Sequence, residues 1–206
     1  MRKRWTRLCD RLGVYLADPG EEFQGLEENY SRPRRAYHNL DHVGFCLSEF
    51  DRISFRATHP VAVELAIWWH DASYDAESTK NEERSAELLG GFCDRAGVLP
   101  DVREISRKVI LYSKHSAPAT DSDTMIFADA DLAILGQPPE AFWVYEKAVA
   151  EEYRWVPRNI FRAKRAEILD RFLARSTIYC TGIFRELYEK AARENLRASI
   201  DALRAG

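Results

Sequence analysis

The stretch from Val61 to Asp75, VAVELAIWWHDASYD, decides the fold. Between Val61 and Trp69 every residue but Glu64 is apolar. A helix that is apolar on all its faces belongs in the middle of a domain, not on its surface. The run then ends in His70 and Asp71. Ionisable side chains rarely lie against a buried apolar helix unless they are paired or bind a metal. A His-Asp dipeptide elsewhere would carry little meaning, and a core histidine bonded to a carbonyl is the plain alternative. At the end of a buried helix it is a candidate site.

Outward from this stretch, the hydrophobic spacing is helical throughout and period-two alternation is absent. Arg4 to Ala17 puts Trp5, Leu8, Cys9, Leu12, Tyr15 and Leu16 on one face, and Asp18-Pro19-Gly20 reads as its stop. Glu21 to Tyr30 is a short second helix, followed by a polar connector, Ser31 to Arg35. Tyr37 to His42 leads into a helix with Val43, Cys46, Leu47 and Phe50 inward, and Thr58-His59-Pro60 starts the central helix. Beyond it come helices over Glu82 to Ala96 and from Pro100 into Tyr112-Ser113-Lys114-His115, then an element over Met125 to Leu135 closed by Gly136. Glu140 to Trp155, Asn159 to Ala174 and Thr177 to Arg204 complete the chain. With no repeat and no linker, the expectation is a single all-α domain. Its site-bearing core would span about residues 30–136, with the helices of 140–204 packing on it.

Composition narrows the function classes. The 206 residues are 46% apolar and 31% charged, as in an ordinary globular protein. A net charge of -3 gives no cationic field, so nucleic acid is not the expected partner. The basic Met1-Arg2-Lys3-Arg4 is not followed by the apolar core of a signal peptide, and the Val61–Trp69 run is too short to span a bilayer. The default expectation is a cytoplasmic protein without a membrane association. Cys9, Cys46, Cys93 and Cys180 form no CxxC pair. The first three fall on helical apolar positions and read as buried reduced thiols.

Four of the five histidines stand in places that invite chemistry. His38 and His42 are four apart, hence on one face if their helix starts early enough. His70 precedes Asp71, and His115 closes a helix. Asp129 and Asp131 interrupt an otherwise apolar run, whereas helix initiation accounts for His59. Imidazole with carboxylate suits a divalent ion such as Mn, Fe, Ni, Co or Zn, and Mg less well. His42, His70, Asp71 and Asp131 would reach such an ion from three helices, leaving positions open for water or substrate.

The order His42, His70-Asp71, Asp131 resembles that of the HD superfamily of metal-dependent phosphohydrolases. The likeness extends to a family of small predicted HD-domain hydrolases, through Arg35-Ala-Tyr-His38-Asn-Leu-Asp-His42, His70-Asp71-Ala-Ser-Tyr-Asp75, Asn81-Glu82-Glu-Arg-Ser85-Ala86 and Asp129-Ala-Asp131-Leu-Ala-Ile-Leu-Gly136. It covers roughly Tyr30 to Leu196. It implies an HD-domain helical bundle with one divalent metal and a small phosphorylated substrate, a nucleotide among the candidates. An Ala-Asp-x-Leu setting in relatives favours Asp131 as the last ligand. Asp129 is then a residue supporting the site from behind, or a helix cap.

Other residues compete with plain structural roles. Asp75, one turn after Asp71 in a continuing helix, would manage protons or simply end the helix. His115 would donate a proton or serve as a C-terminal helix cation. Arg35, His38 and Lys114 would contact substrate, Arg35 by its fork of donors, while His38 has the alternative of a core role. Glu82 either supports a liganding histidine or forms a capping box with Thr79. A non-catalytic metal or nucleotide-binding module is the second expectation. An iron oxygenase ranks last, for want of histidines. The last helix packs on the domain, with a homodimer contact as the lesser reading.

Overall fold

The computed structural model describes residues 1–14, 18–115 and 117–205, and it is all-α. Ten α-helices occur among these residues: α1 (Arg2–Leu12), α2 (Pro19–Tyr30), α3 (Leu40–Asp51), α4 (Pro60–Trp69), α5 (Asn81–Ala96), α6 (Pro100–Tyr112), α7 (Ser122–Leu132), α8 (Pro139–Glu152), α9 (Arg158–Leu173) and α10 (Gly182–Ala205). Single 3₁₀ turns follow α3 and α7, at Ser54–Arg56 and Ala133–Gly136. No helix among the described residues is long and apolar enough to cross a membrane. The chain forms two compact units, Met1–Ala128 and Asp129–Gly206, and the division falls inside α7.

In the first unit α4 is the hub, touching α1, α3, α5 and α6. Every residue from Ala62 to Trp69 is buried, as an all-apolar helix requires. Trp5 of α1 meets Trp68 edge-on at 5.5 Å, and Phe92 of α5 packs on Trp69 at 5.4 Å. Glu64, the one charge in the helix, accepts from Arg4 Nε at 2.8 Å and Arg11 Nη1 at 2.6 Å. Both arginines lie on α1, so burying the carboxylate fixes that helix against α4. Ser106 of α6 donates to the Ala62 carbonyl at 2.8 Å. Cys9, Cys46 and Cys93 are buried and in no disulfide, as their spacing implies.

Several helix ends differ from the sequence reading. The first helix stops at Leu12, because Gly13 takes a left-handed conformation (φ 64°) that ends it. Tyr15, Leu16 and Ala17 lie outside the described residues. Asp18-Pro19-Gly20 is a start and not a stop: Asp18 accepts from the Gly20 amide at 2.7 Å and Pro19 opens α2. Helix α3 begins only at Leu40, with Asn39 capping the amides of Asp41 and His42. His38 therefore precedes the helix and shares no helical face with His42. The N-cap of α5 is Lys80 and not Thr79, and its side chain makes no capping bond. Helix α10 starts at Gly182, not Thr177.

In the second unit the 3₁₀ turn Ala133–Gly136 and helix α9 both pack on α10. Asn195 donates to the carbonyls of Leu135 and Gln137, each at 2.9 Å. Glu146, buried on α8, pairs with Arg165 of α9 and accepts from Ser199 of α10 at 2.9 Å. Phe142 is fully buried, whereas Trp143, Tyr145, Phe161 and Phe172 are only partly covered. At Gly136 a Cβ would lie 2.5 Å from the Tyr188 Cβ and 2.9 Å from its carbonyl oxygen. Backbone cannot swing aside as a flexible side chain can. Gly136→Ala should lower stability by about 2 kcal/mol or more, measured by thermal unfolding. An unchanged melting temperature would show that α10 is free to move there.

Candidate metal centre

The site begins at the end of α4, where a buried helix has carbonyls left over. His70, itself buried, points Nδ1 at the Ile67 carbonyl, 2.9 Å away. A carbonyl can only accept, so Nδ1 carries the proton and the lone pair of a neutral ring lies on Nε2. That is the tautomer a metal needs. The Tyr30 hydroxyl donates to the Trp68 carbonyl at 3.0 Å. Arg35 takes two further carbonyls, donating to that of Asp71 at 2.6 Å and that of Ala72 at 3.1 Å. It also donates to the His38 carbonyl at 3.0 Å.

Into this frame α3 brings His42, whose Nε2 lies 3.1 Å from His70 Nε2. Asp71 Oδ2 is 3.1 Å from His70 Nε2 and 3.6 Å from His42 Nε2. Cys46, one turn beyond His42, has its sulfur 3.6 Å from Nδ1 and 3.7 Å from Nε2 of that ring. Donor atoms of His42, Cys46 and His70 all lie within 4.8 Å of one another, all three residues being buried, and such a group could hold a metal ion. The ring of Phe127, on α7, meets His70 edge-on at 5.4 Å. Asp131 lies further along α7, in the second unit.

Burial acts to raise the Asp71 carboxyl. When His70 carries a second proton, on Nε2, its charge and its hydrogen bond, with His38 and His42 behind them, outweigh it and hold the group well below the usual carboxylate range; a bound ion would take that proton's place. An ionised carboxylate beside two imidazoles is a donor set for a divalent cation. With one ring nitrogen already facing another and a carboxylate against both, the residues fit an ion of the kind the sequence implies.

The other candidates are placed differently. His38 stacks on Tyr74 at 4.0 Å and lies beside His42, with ring centres 5.9 Å apart. The guanidinium of Arg35 lies over the rings of Tyr30 and Tyr74 and donates to backbone, which makes it a brace for the His70–Ala72 turn instead of a clamp at a pocket mouth. Helix α4 does not continue to Asp75: that residue is exposed, and its carboxylate accepts from the Glu77 amide at 3.0 Å in a turn. Lys114 holds Glu83 at 2.5 Å and lies 3.7 Å from Glu82. His115 follows α6 in a left-handed conformation (φ 49°) with the Tyr112 ring edge-on to it at 5.6 Å. Asp129 is fully buried and accepts from the amides of Cys180 and Thr181 and from the Thr181 hydroxyl. Burial raises its carboxyl, against the pull of those bonds. It anchors the segment that leads into α10.

Two contributors escape the sequence reading. Cys46 reads there as a core thiol, although its spacing of four from His42 places both on one side of α3. Tyr30 carries no signal at all, since nothing in sequence joins it to a carbonyl thirty-eight residues away.

No family model, curated protein or solved structure matches the chain. The functional reading therefore rests on this geometry and on the residue pattern.

Arg35→Lys should destabilise the metal-free protein by about 2 kcal/mol, because one ammonium cannot serve three carbonyls set around a planar fork. Thermal unfolding of the stripped variant checks it. Unchanged stability would return Arg35 to the role of a substrate contact.

Proposed function

We propose that this chain is a metal-dependent phosphohydrolase of the HD type, acting on a small phosphorylated molecule. The observation that carries the reading is the buried pair of ring nitrogens, 3.1 Å apart, with the His70 tautomer set by the Ile67 carbonyl. His42, His70 and Asp71 are the proposed ligands of one divalent ion. Asp131, on the helix that runs on from Phe127, is the further ligand that the sequence resemblance supplies. When bound, the ion lowers the pKa of a coordinated water and polarises a phosphoryl oxygen.

The chain's own residues would orient and balance this chemistry. His70 keeps its lone pair forward through the bond to Ile67. The Asp71 carboxylate, held ionised, offsets the ion's charge. Arg35 and Tyr30 hold the backbone of the turn, and His38 borders the site at Tyr74. Asp75 and His115 remain the proposed proton-handling residues, with Lys114 as a phosphate contact.

The second reading is a non-catalytic metal-binding module. It draws support from Asp75, whose carboxylate caps a turn, and from Lys114, whose ammonium is paired with Glu83.

His70→Ala should abolish metal retention while leaving the helical fold, as elemental analysis and circular dichroism would report. Full metal occupancy in that variant would sink the assignment. Asp75→Asn keeps the oxygen that caps Glu77 and removes only the base. A lower kcat at unchanged metal content would identify proton handling. Release of phosphate from a set of phosphorylated metabolites, with each candidate metal added to stripped protein, separates the enzyme from the module. No turnover with a fully loaded site would favour the module.

A further inference from the structure

The two histidines have a neighbour that the HD-like ligand pattern does not include. Cys46 is fully buried on α3, and its sulfur lies 3.7 Å from His42 Nε2. The same sulfur is within 4.8 Å of the donor nitrogen of His70. We propose that Cys46 is itself a ligand, so that the centre takes a thiophilic ion of the zinc class and discriminates against magnesium and manganese. This rests on the metal reading above and deepens it.

Distances between donors support the assignment. Zinc bound tetrahedrally, at about 2.3 Å from sulfur and about 2.0–2.1 Å from nitrogen, sets nitrogen–nitrogen edges of about 3.3 Å and sulfur–nitrogen edges of about 3.6 Å. The corresponding separations here are 3.1 Å and 3.7 Å. The sulfur is as close to His42 Nδ1 (3.6 Å) as to Nε2, so a turn of the Cys46 side chain would be needed to carry it onto an ion held on the Nε2 lone pair.

Chemistry decides which ion. A set of carboxylates and water suits magnesium, calcium or manganese, and each added soft donor moves preference toward zinc, cobalt or iron. Two imidazoles and a thiolate make a borderline-soft set. The sulfur need not compete with solvent, because Cys46 and both histidines are buried. Metal binding would displace the thiol proton to bulk water as the sulfur–metal bond forms, with no change of oxidation state.

Helix geometry explains why this sulfur and no other is available. Cys46 follows His42 by one turn of α3, so the two side chains share a face. Cys9 and Cys93 lie on α1 and α5, and Cys180 precedes α10. Only Cys46 is joined to a candidate metal-binding group among the described residues.

Cobalt(II) provides a test that does not depend on activity. Stripped full-length protein is titrated with cobalt(II) and the absorption spectrum is followed. A cobalt–thiolate bond gives an intense near-ultraviolet charge-transfer band. The expected result is that band in the wild type and its loss in Cys46→Ser, which still binds cobalt through the remaining donors. In competition, the wild type should also retain zinc over a large excess of manganese, and the variant should lose part of that preference. Cobalt bound by the wild type without the band would overturn the thiolate ligand and leave the histidine–carboxylate centre standing. Persistence of the band in Cys46→Ser would assign it to another thiol and overturn the proposal equally. Failure of the wild type to bind cobalt, zinc or manganese would overturn the metal reading itself. The wild-type spectrum is decisive even where the variant folds poorly.

Discussion

A helix buried on every side must find donors inside the protein for the carbonyls at its end. That requirement shapes the first unit. The carbonyls of Ile67, Trp68, Trp69, Asp71 and Ala72 are taken by the His70 ring, the Tyr30 hydroxyl, the Ala72 amide and the Arg35 guanidinium. Satisfying them fixes the tautomer of His70 and the backbone of Asp71 in the same stroke. The site is thus a by-product of ending α4 without water.

The same constraint explains why the histidine–aspartate pair is rigid. His70 is held through its own ring, and Asp71 through its carbonyl. Its carboxylate is left for the two imidazoles, which keep it ionised despite burial. Positioning residues of this kind matter as much to a metal as the ligands themselves, because they set orientation before the ion arrives.

The all-α class was legible in the spacing of apolar residues, and the central place of α4 was legible in a single nine-residue run. Helix ends were less so, because Asp18-Pro19-Gly20 contains both stop and start signals and only the left-handed Gly13 resolves them. His42, His70 and Asp71 stand out in the sequence because residue type and position near a buried apolar run coincide. Arg35 misled for the opposite reason. A guanidinium serves phosphates and carbonyls with the same fork of donors, and sequence does not say which is nearer. Asp75 misled through periodicity, which carries on in the sequence after the helix has stopped at Trp69. Cys46 was visible as a helical neighbour of His42, but a thiol in an apolar stripe reads first as packing.

Asp129 has a consequence for how the C-terminal part of the chain can change. It is completely buried in the last turns of α7, and the donors described for it come from Cys180 and Thr181, immediately before α10. Clipping the chain ahead of that segment would strip the carboxylate of those amides and that hydroxyl. The cost would fall two residues before Asp131, in the helix that carries it. The last helix is therefore no dispensable tail. A protease cut or a frameshift far downstream in sequence would be felt as damage to α7.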